Sequence, residues 1–158
     1  MDIGSGAGYP SSALSNFAPH PFVIDGVECA SMEGFLQSLK FKNPDMQVEV
    51  CKLVGKKAKF KGKKKNWKRT QSLWWRGCEY PRNSLLYQML LDRAFTALSR
   101  NKKFQKALLA TGDAVLTHSI GKRKEADTIL TRQEFCSRLT MLRWRLQQKV
   151  KECPNCGG

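Results

Sequence analysis

The stretch Ser31-Met-Glu-Gly-Phe-Leu-Gln-Ser-Leu-Lys-Phe41 carries two helical faces at once. Met32, Phe35, Leu36 and Leu39 recur at i, i+3, i+4 and i+7, the spacing of one apolar stripe. Glu33, Gln37 and Lys40 repeat those steps one residue later. That places an acid, an amide and an amine on a polar stripe about 100° round the same helix. Ser31 offers an N-cap hydroxyl, so Glu33 falls in the first turn, where the helix dipole favours its ionised form. Such a stripe is either a solvated face or one wall of a site, and periodicity alone does not separate the two.

The rest of the chain reads as elements arranged around this helix. Residues 1–13 are rich in Gly and Ser and are expected to form a flexible lead-in. Phe22-Val-Ile-Asp-Gly-Val-Glu-Cys29 reads as a hairpin turning on Asp25-Gly26 in type I′ geometry. Asn43-Pro44 ends the central helix, Asp45 caps a second one reaching about Val54, and Gly55 is its expected stop. Trp74 to Pro81 resembles a short strand and loop. Ser84 caps a helix to about Ser99, with Leu86, Met89, Leu90, Ala94 and Leu98 expected inward. A shorter helix over about 102–110 ends at Gly112. Ala114 to Ser119 is a short strand candidate, and Gly121 to Thr128 a polar loop carrying Glu125 and Asp127. Thr131-Arg-Gln-Glu134 is a capping box that opens the last helix, whose seam is Phe135, Leu139, Leu142 and Leu146. No internal repeat is present. The expectation is one α+β domain over residues 14–150, mainly helical with a small antiparallel sheet of hairpins, followed by a Cys-containing tail at 151–158.

Composition narrows the partners. The 158 residues hold 28 Lys and Arg against 13 Asp and Glu, a formal charge of +15, which points to an anionic partner. A hydrophobic content of 41% with four Trp and eight Phe is that of a globular chain. No run approaches the roughly eighteen apolar residues of a membrane span, and the N-terminus lacks a basic-then-apolar signal pattern. The expectation is a soluble, cytoplasmic protein with no membrane partner. The charge is densest from Lys56 through Lys65, with Lys56, Lys57, Lys63, Lys64 and Lys65 as candidate phosphate contacts. Such a run is commonly a solvated surface. Phe60 and Trp67 are interleaved with it, however, and aromatic plus cation is what base stacking and phosphate contact require.

Six cysteines do not make a disulfide framework. Cys29, Cys51, Cys78 and Cys136 stand singly among apolar neighbours, where Cys packs as a small hydrophobe. Cys153-Pro-Asn-Cys156 is half of a zinc ribbon with no second pair nearby, so no metal site is expected. No Gly-x-Gly-x-x-Gly or Walker loop is present, and no cofactor is indicated.

Leu14-Ser15-Asn16-Phe17, Asp25-Gly26 and Ser31-x-Glu33-x-x-x-Gln37-x-x-Lys40-Phe41, in this order and spacing, resemble the NADAR superfamily of YbiA-like N-glycosidases. The resemblance continues through Asn66-Trp67, Lys103-Phe104, Leu108-Leu109-Ala110-Thr111-Gly112 and Leu116-x-His118, and covers roughly residues 9 to 146. It departs after His118: where other members carry Trp-Gly-x-Gly-type residues, this chain has Ile120-Gly-Lys-Arg-Lys-Glu-Ala-Asp127. Asp127 is the best counterpart of the loop acid there, with Glu125 second. The resemblance implies hydrolysis of an N-glycosidic bond between a ribose phosphate unit and a base or amine. Two substrate classes are associated with the family. They are ADP-ribose on guanine in nucleic acid, whose removal by phage proteins would counter a host defence, and phosphorylated ribosylamino-pyrimidine intermediates of riboflavin synthesis.

The residues fit that chemistry. Breaking a ribosyl C1′–N bond passes through an oxocarbenium-like transition state, which a carboxylate can stabilise while it activates water. Glu33 is the primary catalytic candidate and Asp127 the second. Asn16, Gln37, Lys40 and Trp67 are candidates for substrate binding. Each has a plainer reading: Asn16 as a turn cap, Trp67 as core, Asp127 as an N-terminal charge for the last helix. His118 is left out as a histidine that more often satisfies a backbone group. A non-catalytic ADP-ribose or nucleic-acid-binding module is the competing function, and Glu33 argues against it, because a pure binder gains little from a carboxylate facing phosphate.

Overall fold

The computed structural model of the protein describes residues 1–152. Seven α-helices and two two-stranded antiparallel sheets are found among the described residues. No described helix is long and apolar enough to cross a membrane.

α1 (Met32–Ser38) is the packing centre. Ser31 Oγ accepts the Gly34 N–H at 3.1 Å and donates to the Leu53 carbonyl at 3.0 Å. One hydroxyl thus caps α1 and ties it to the chain leaving α2 (Pro44–Cys51). Gly34 permits this approach, since a Cβ there would meet the Leu53 carbonyl at 2.5 Å. About 100° round the helix from Gly34, Phe35 is fully buried, edge-on to Trp75 at 5.0 Å and to Phe22 at 6.2 Å.

The first hairpin forms as its sequence requires. β1 (Phe22–Ile24) pairs with β2 (Val27–Cys29) through Asp25 at φ +50° and Gly26 at φ +77°. A second hairpin stands where a strand and loop were expected: β3 (Ser72–Trp75) pairs with β4 (Cys78–Pro81). Arg76 occupies the left-handed region at φ +50° there because tertiary contacts hold it. Its N–H donates to Gln47 Oε1 at 3.0 Å and its guanidinium to the Asp25 carbonyl at 2.7 Å.

Asn43, rather than Asp45, caps α2. Its Oδ1 accepts from the N–H groups of Asp45 and Met46 at 2.8 and 3.4 Å, and Pro44 takes the first helical position, where its missing N–H is no loss. Gly55 opens α3 (Gly55–Lys63) instead of stopping α2, so the basic run is helical. The short α4 (Trp67–Thr70) follows. α5 (Leu85–Leu98) buries Tyr87, Leu90, Leu91, Ala94, Phe95 and Leu98, whereas Leu86 and Met89, expected inward, are exposed. Tyr87 sets this phase, its hydroxyl donating to the Ile129 carbonyl at 2.6 Å in the core. α6 (Lys102–Ala110) ends as expected. α7 (Arg132–Glu152) opens with the capping box: Thr131 Oγ1 accepts the Glu134 N–H at 3.1 Å, and Glu134 Oε1 accepts the Thr131 N–H at 2.8 Å. α7 therefore runs two residues into the expected tail.

The N-terminal segment is not a free lead-in. Ile3 is buried in the core, its N–H donates to the Thr117 carbonyl at 2.8 Å, and Asp2 forms a parallel bridge with Thr117. The Asp2 carboxylate accepts from the Ser119 N–H and hydroxyl at 2.8 and 2.5 Å. Those hydrogen bonds hold its carboxyl below the ordinary range. The expected strand at 114–119 reduces to this bridge. Glycine and serine content suggested freedom, but one buried isoleucine and one paired carboxylate anchor the segment. Cys29 and Cys51 are buried and Cys136 half-buried, but Cys78 is exposed on β4, outside the core expected for it. Cys153 and Cys156 lie outside the described residues.

Candidate active site

A cleft of about 810 Å³ opens beside α1. Four parts of the chain line it: Ser5 with Ser15–Phe17, the polar stripe of α1, the α3–α4 corner, and the segment from His118 to Leu130. Asn16, Glu33, Gln37, Lys40, Trp67 and Asp127, six residues spread over most of the chain, all line it. So do Lys63, Lys64 and Lys65, whereas Lys56 and Lys57 sit exposed in the first turn of α3, away from the cleft.

Glu33 is held from two sides. Its backbone N–H donates to the Asn16 carbonyl at 3.0 Å, which joins the Ser-Asn-Phe segment to the first turn of α1. Gln37 Nε2 donates to Glu33 Oε1 at 2.9 Å. Burial pushes the Glu33 carboxyl above its ordinary range, and the Gln37 hydrogen bond and the charges of Lys40 and Lys59 pull it part of the way back. A carboxylate so placed accepts a proton more readily than an exposed one.

Gln37, expected to hold substrate, is only 6% exposed. Its amide nitrogen is engaged with Glu33, and its Oε1 lies against α3, where a Cβ on Gly62 would stand 1.8 Å from it. The absence of a side chain at Gly62 lets α3 close onto α1 at this point. Trp67 is likewise 6% exposed and part of the core cluster. It lines the cleft as packed core and not as a free stacking face, so the plainer reading of this residue holds for most of its surface.

Lysines dominate the electrostatics. Lys40, Lys59, Lys63, Lys64, Lys65, Lys68 and Lys122 all line the cleft. The Lys40 ammonium is pushed below its ordinary range chiefly by burial and further by the charges of Lys68 and Lys122, while Glu33 opposes the shift. Ammonium groups from the turn that follows α1 (Lys40), from α4 (Lys68) and from the 118–130 segment (Lys122) thus converge, and an anion seated among them would relieve their repulsion.

The loop acids separate cleanly. Asp127 is exposed and lines the cleft, whereas Glu125 lines a different cavity and reaches Arg82 at 3.8 Å. Anchors bracket Asp127: Gln71 Nε2 donates to the Ala126 carbonyl at 3.1 Å, and Arg82 Nε to the Thr128 carbonyl at 2.8 Å. Arg132 donates to the carbonyls of Gly121 and Ser119, which fastens the start of the same segment to α7. His118 also lines the cleft. Its Nδ1 meets the Ile3 carbonyl at 2.8 Å, and since a carbonyl only accepts, that nitrogen carries the proton. Its ring stands edge-on to Phe135 at 5.1 Å.

Residues 8–144 match the family model described as bacteriophage protein GP30.3. The chain belongs to this family. A relative, the 17.1 kDa protein of the Gp30-rIII intergenic region of Enterobacteria phage T4, is 42% identical over 149 residues, spanning 90% of this chain and 96% of the phage T4 protein. The GP30.3 fold is also similar to that of Escherichia coli YbiA in its NMR structure, with a TM-score of 0.62 and 20% identity over 96% of this chain and 87% of YbiA. At that identity the likeness establishes a common fold.

Lys59 and Lys68 of the basic stretch, Lys122 and Ser5 were not singled out from the sequence and His118 was set aside, yet all five line the cleft. Lys59 carried a usable signal, since it lies one helical turn before Lys63. His118 stood in the Leu116-x-His118 part of the resemblance, whereas Ser5 carried no signal, because the clamp between residues 1–3 and 115–119 that brings it in is a tertiary contact.

Proposed function

We propose that this protein belongs to the NADAR (YbiA-like) superfamily and is an N-glycosidic-bond hydrolase that removes ADP-ribose from modified guanine in nucleic acid. The observation that carries this reading is Glu33, a largely buried carboxylate fixed by Gln37 at the wall of a lysine-lined cleft. A phosphate-binding surface has no use for a buried negative charge, whereas a ribosyl C1′ that gains positive charge does.

In this reading the diphosphate of ADP-ribose sits among Lys40, Lys68 and Lys122, and Asn16 hydrogen-bonds the sugar. As the C1′–N bond breaks, its electron pair leaves with the base nitrogen and Glu33 faces the resulting cation. Water adds to C1′ and gives its proton to Glu33, and the base nitrogen takes up a proton from solvent. Asp127 orients the water or a ribose hydroxyl. A smaller substrate, such as a phosphorylated ribosylamino-pyrimidine, would also fit three converging ammonium groups. The further lysines on α3 favour a polyanion, since binding to nucleic acid scales with the number of phosphates neutralised. Kinship with phage proteins agrees with a role in erasing a host-installed mark.

The test is incubation with an oligonucleotide bearing ADP-ribosylated guanine, followed by mass analysis of oligonucleotide and released sugar. Loss of one ADP-ribosyl unit with appearance of free ADP-ribose is expected. An unchanged oligonucleotide, under conditions where the protein binds it, overturns the hydrolase reading in favour of a binding module.

A further inference from the structure

α3 presents an aromatic ring to water. Only Ala58 and Gly62 of this helix are buried. Phe60 lies opposite them on the helical wheel and is 57% exposed. Lys56, Lys59 and Lys63 run along one side of it and Lys57, Lys61 and Lys64 along the other, all exposed. Lys63 joins this surface to the cleft: its Nζ stands 5.9 Å from the centroid of the Phe60 ring, and the residue also lines the cleft.

We propose that Phe60 is a stacking platform for a base adjoining the one that enters the cleft, and that α3 thereby selects single-stranded nucleic acid. Two rows of ammonium groups match a phosphate backbone, but they would hold single and double strands alike. The phenyl ring supplies the discrimination. In a duplex both faces of each base are already stacked, whereas a single strand can offer one to an aromatic side chain. Trp67, the other aromatic of the basic stretch, is packed into the core and cannot share this work. The position of the platform rests on the reading of the cleft as the seat of a nucleic-acid base, but binding through Phe60 does not require hydrolysis.

The test uses fluorescence anisotropy with an unmodified, labelled oligothymidylate and a duplex of the same length. The full chain is expected to bind the single strand more tightly. Phe60→Ala should weaken single-strand binding by about 5- to 100-fold and leave duplex binding and the salt dependence of both unchanged. Phe60→Trp should retain or exceed the wild-type preference. An equal loss on both probes, or no loss on either, overturns the proposal. Because the probe carries no ADP-ribose, its outcome is separate from that of the hydrolysis assay: a chain that binds through Phe60 without cleaving would sink only the hydrolase reading. A chain that cleaves with no Phe60 effect would sink only this one.

Discussion

Arg82 and Glu134, fifty-two residues apart, meet in a buried two-pronged ion pair, with Nη2 to Oε1 at 2.6 Å and Nη1 to Oε2 at 3.1 Å. Arg82 is only 1% exposed, and its guanidinium lies 4.9 Å from the centroid of the Tyr87 ring. The same guanidinium holds the Thr128 carbonyl, and the same carboxylate closes the α7 capping box. Core, helix start and the loop carrying Asp127 therefore share one junction. Arg82→Met strands the carboxylate and should cost about 3–5 kcal/mol, read as a fall in Tm on the order of 10 °C.

Glu134 also makes a pH prediction. Burial raises its carboxyl, but hydrogen bonds from Arg82, Gln88 and the Thr131 N–H outweigh burial and hold it below the ordinary range. A carboxyl depressed in the folded state contributes stability above its unfolded pKa of about 4.3, and that contribution is lost as pH falls through the folded value. Thermal melts below about pH 4 should therefore drop more steeply for wild type than for Glu134→Gln.

Glu33→Gln separates chemistry from stability. The amide keeps the size and can still accept from Gln37, but it cannot take a proton or face a cation. Turnover on a confirmed substrate should fall about a hundred- to ten-thousand-fold with affinity nearly unchanged. Because burial holds the Glu33 carboxyl above its ordinary range, ionising it weakens the fold as pH rises through the window between its unfolded and folded pKa values, and the loss is complete above that window. The variant should therefore melt higher than wild type at neutral pH, and the gap should close near about pH 4. A variant with full turnover would move the search for the catalytic carboxylate to Asp127.

Gly62→Ala tests whether the Gln37 clamp matters. The new Cβ would stand 1.8 Å from Gln37 Oε1 and 2.8 Å from its Cδ, so the amide must turn away from Glu33 or α3 must retreat. Overpacking of this kind costs about 1–3 kcal/mol. Activity should fall by more than the Tm shift explains, and the pH–rate profile should move, because the carboxylate loses a hydrogen bond that favours its ionised form. A profile unchanged in shape would mean that Gln37 does not set the state of Glu33.

Ile3→Ala tests the anchored N-terminus. Truncating a fully buried isoleucine costs about 2–5 kcal/mol, and a free lead-in would cost nothing. The substitution should also loosen the His118 side of the cleft, since the Ile3 carbonyl holds that ring. Amide exchange around 115–121 should therefore rise along with the drop in Tm.

Much of this was legible in the residues because local chemistry decides it. Ser31 capping α1, the Asp25-Gly26 turn and the Thr131–Glu134 box each depend on groups within a few residues of one another, so their spacing in sequence is their spacing in space. The pairing of Glu33 with Gln37 follows from helical pitch alone, whereas α1 ends at Ser38, short of the expected Asn43-Pro44 stop, and Lys40 is carried on the turn after it by its N–H bond to the Gln37 carbonyl. That the stripe faces a cleft and not solvent depends on elements far along the chain. α3 closes onto Gln37 at Gly62, and the 118–130 segment is brought in by residues 1–3, Arg82 and Arg132. The division of the two aromatics was not decided by the sequence either: both are interleaved with the lysines, and core and site readings of Trp67 stood side by side. Trp67 is buried because the core has room for it at the start of α4, and Phe60 is exposed because Ala58 and Gly62 alone fill the narrow space between α3 and α1. Pattern assigns a residue to a face of its own element; only the packing of the other elements decides whether that face meets core, cleft or water.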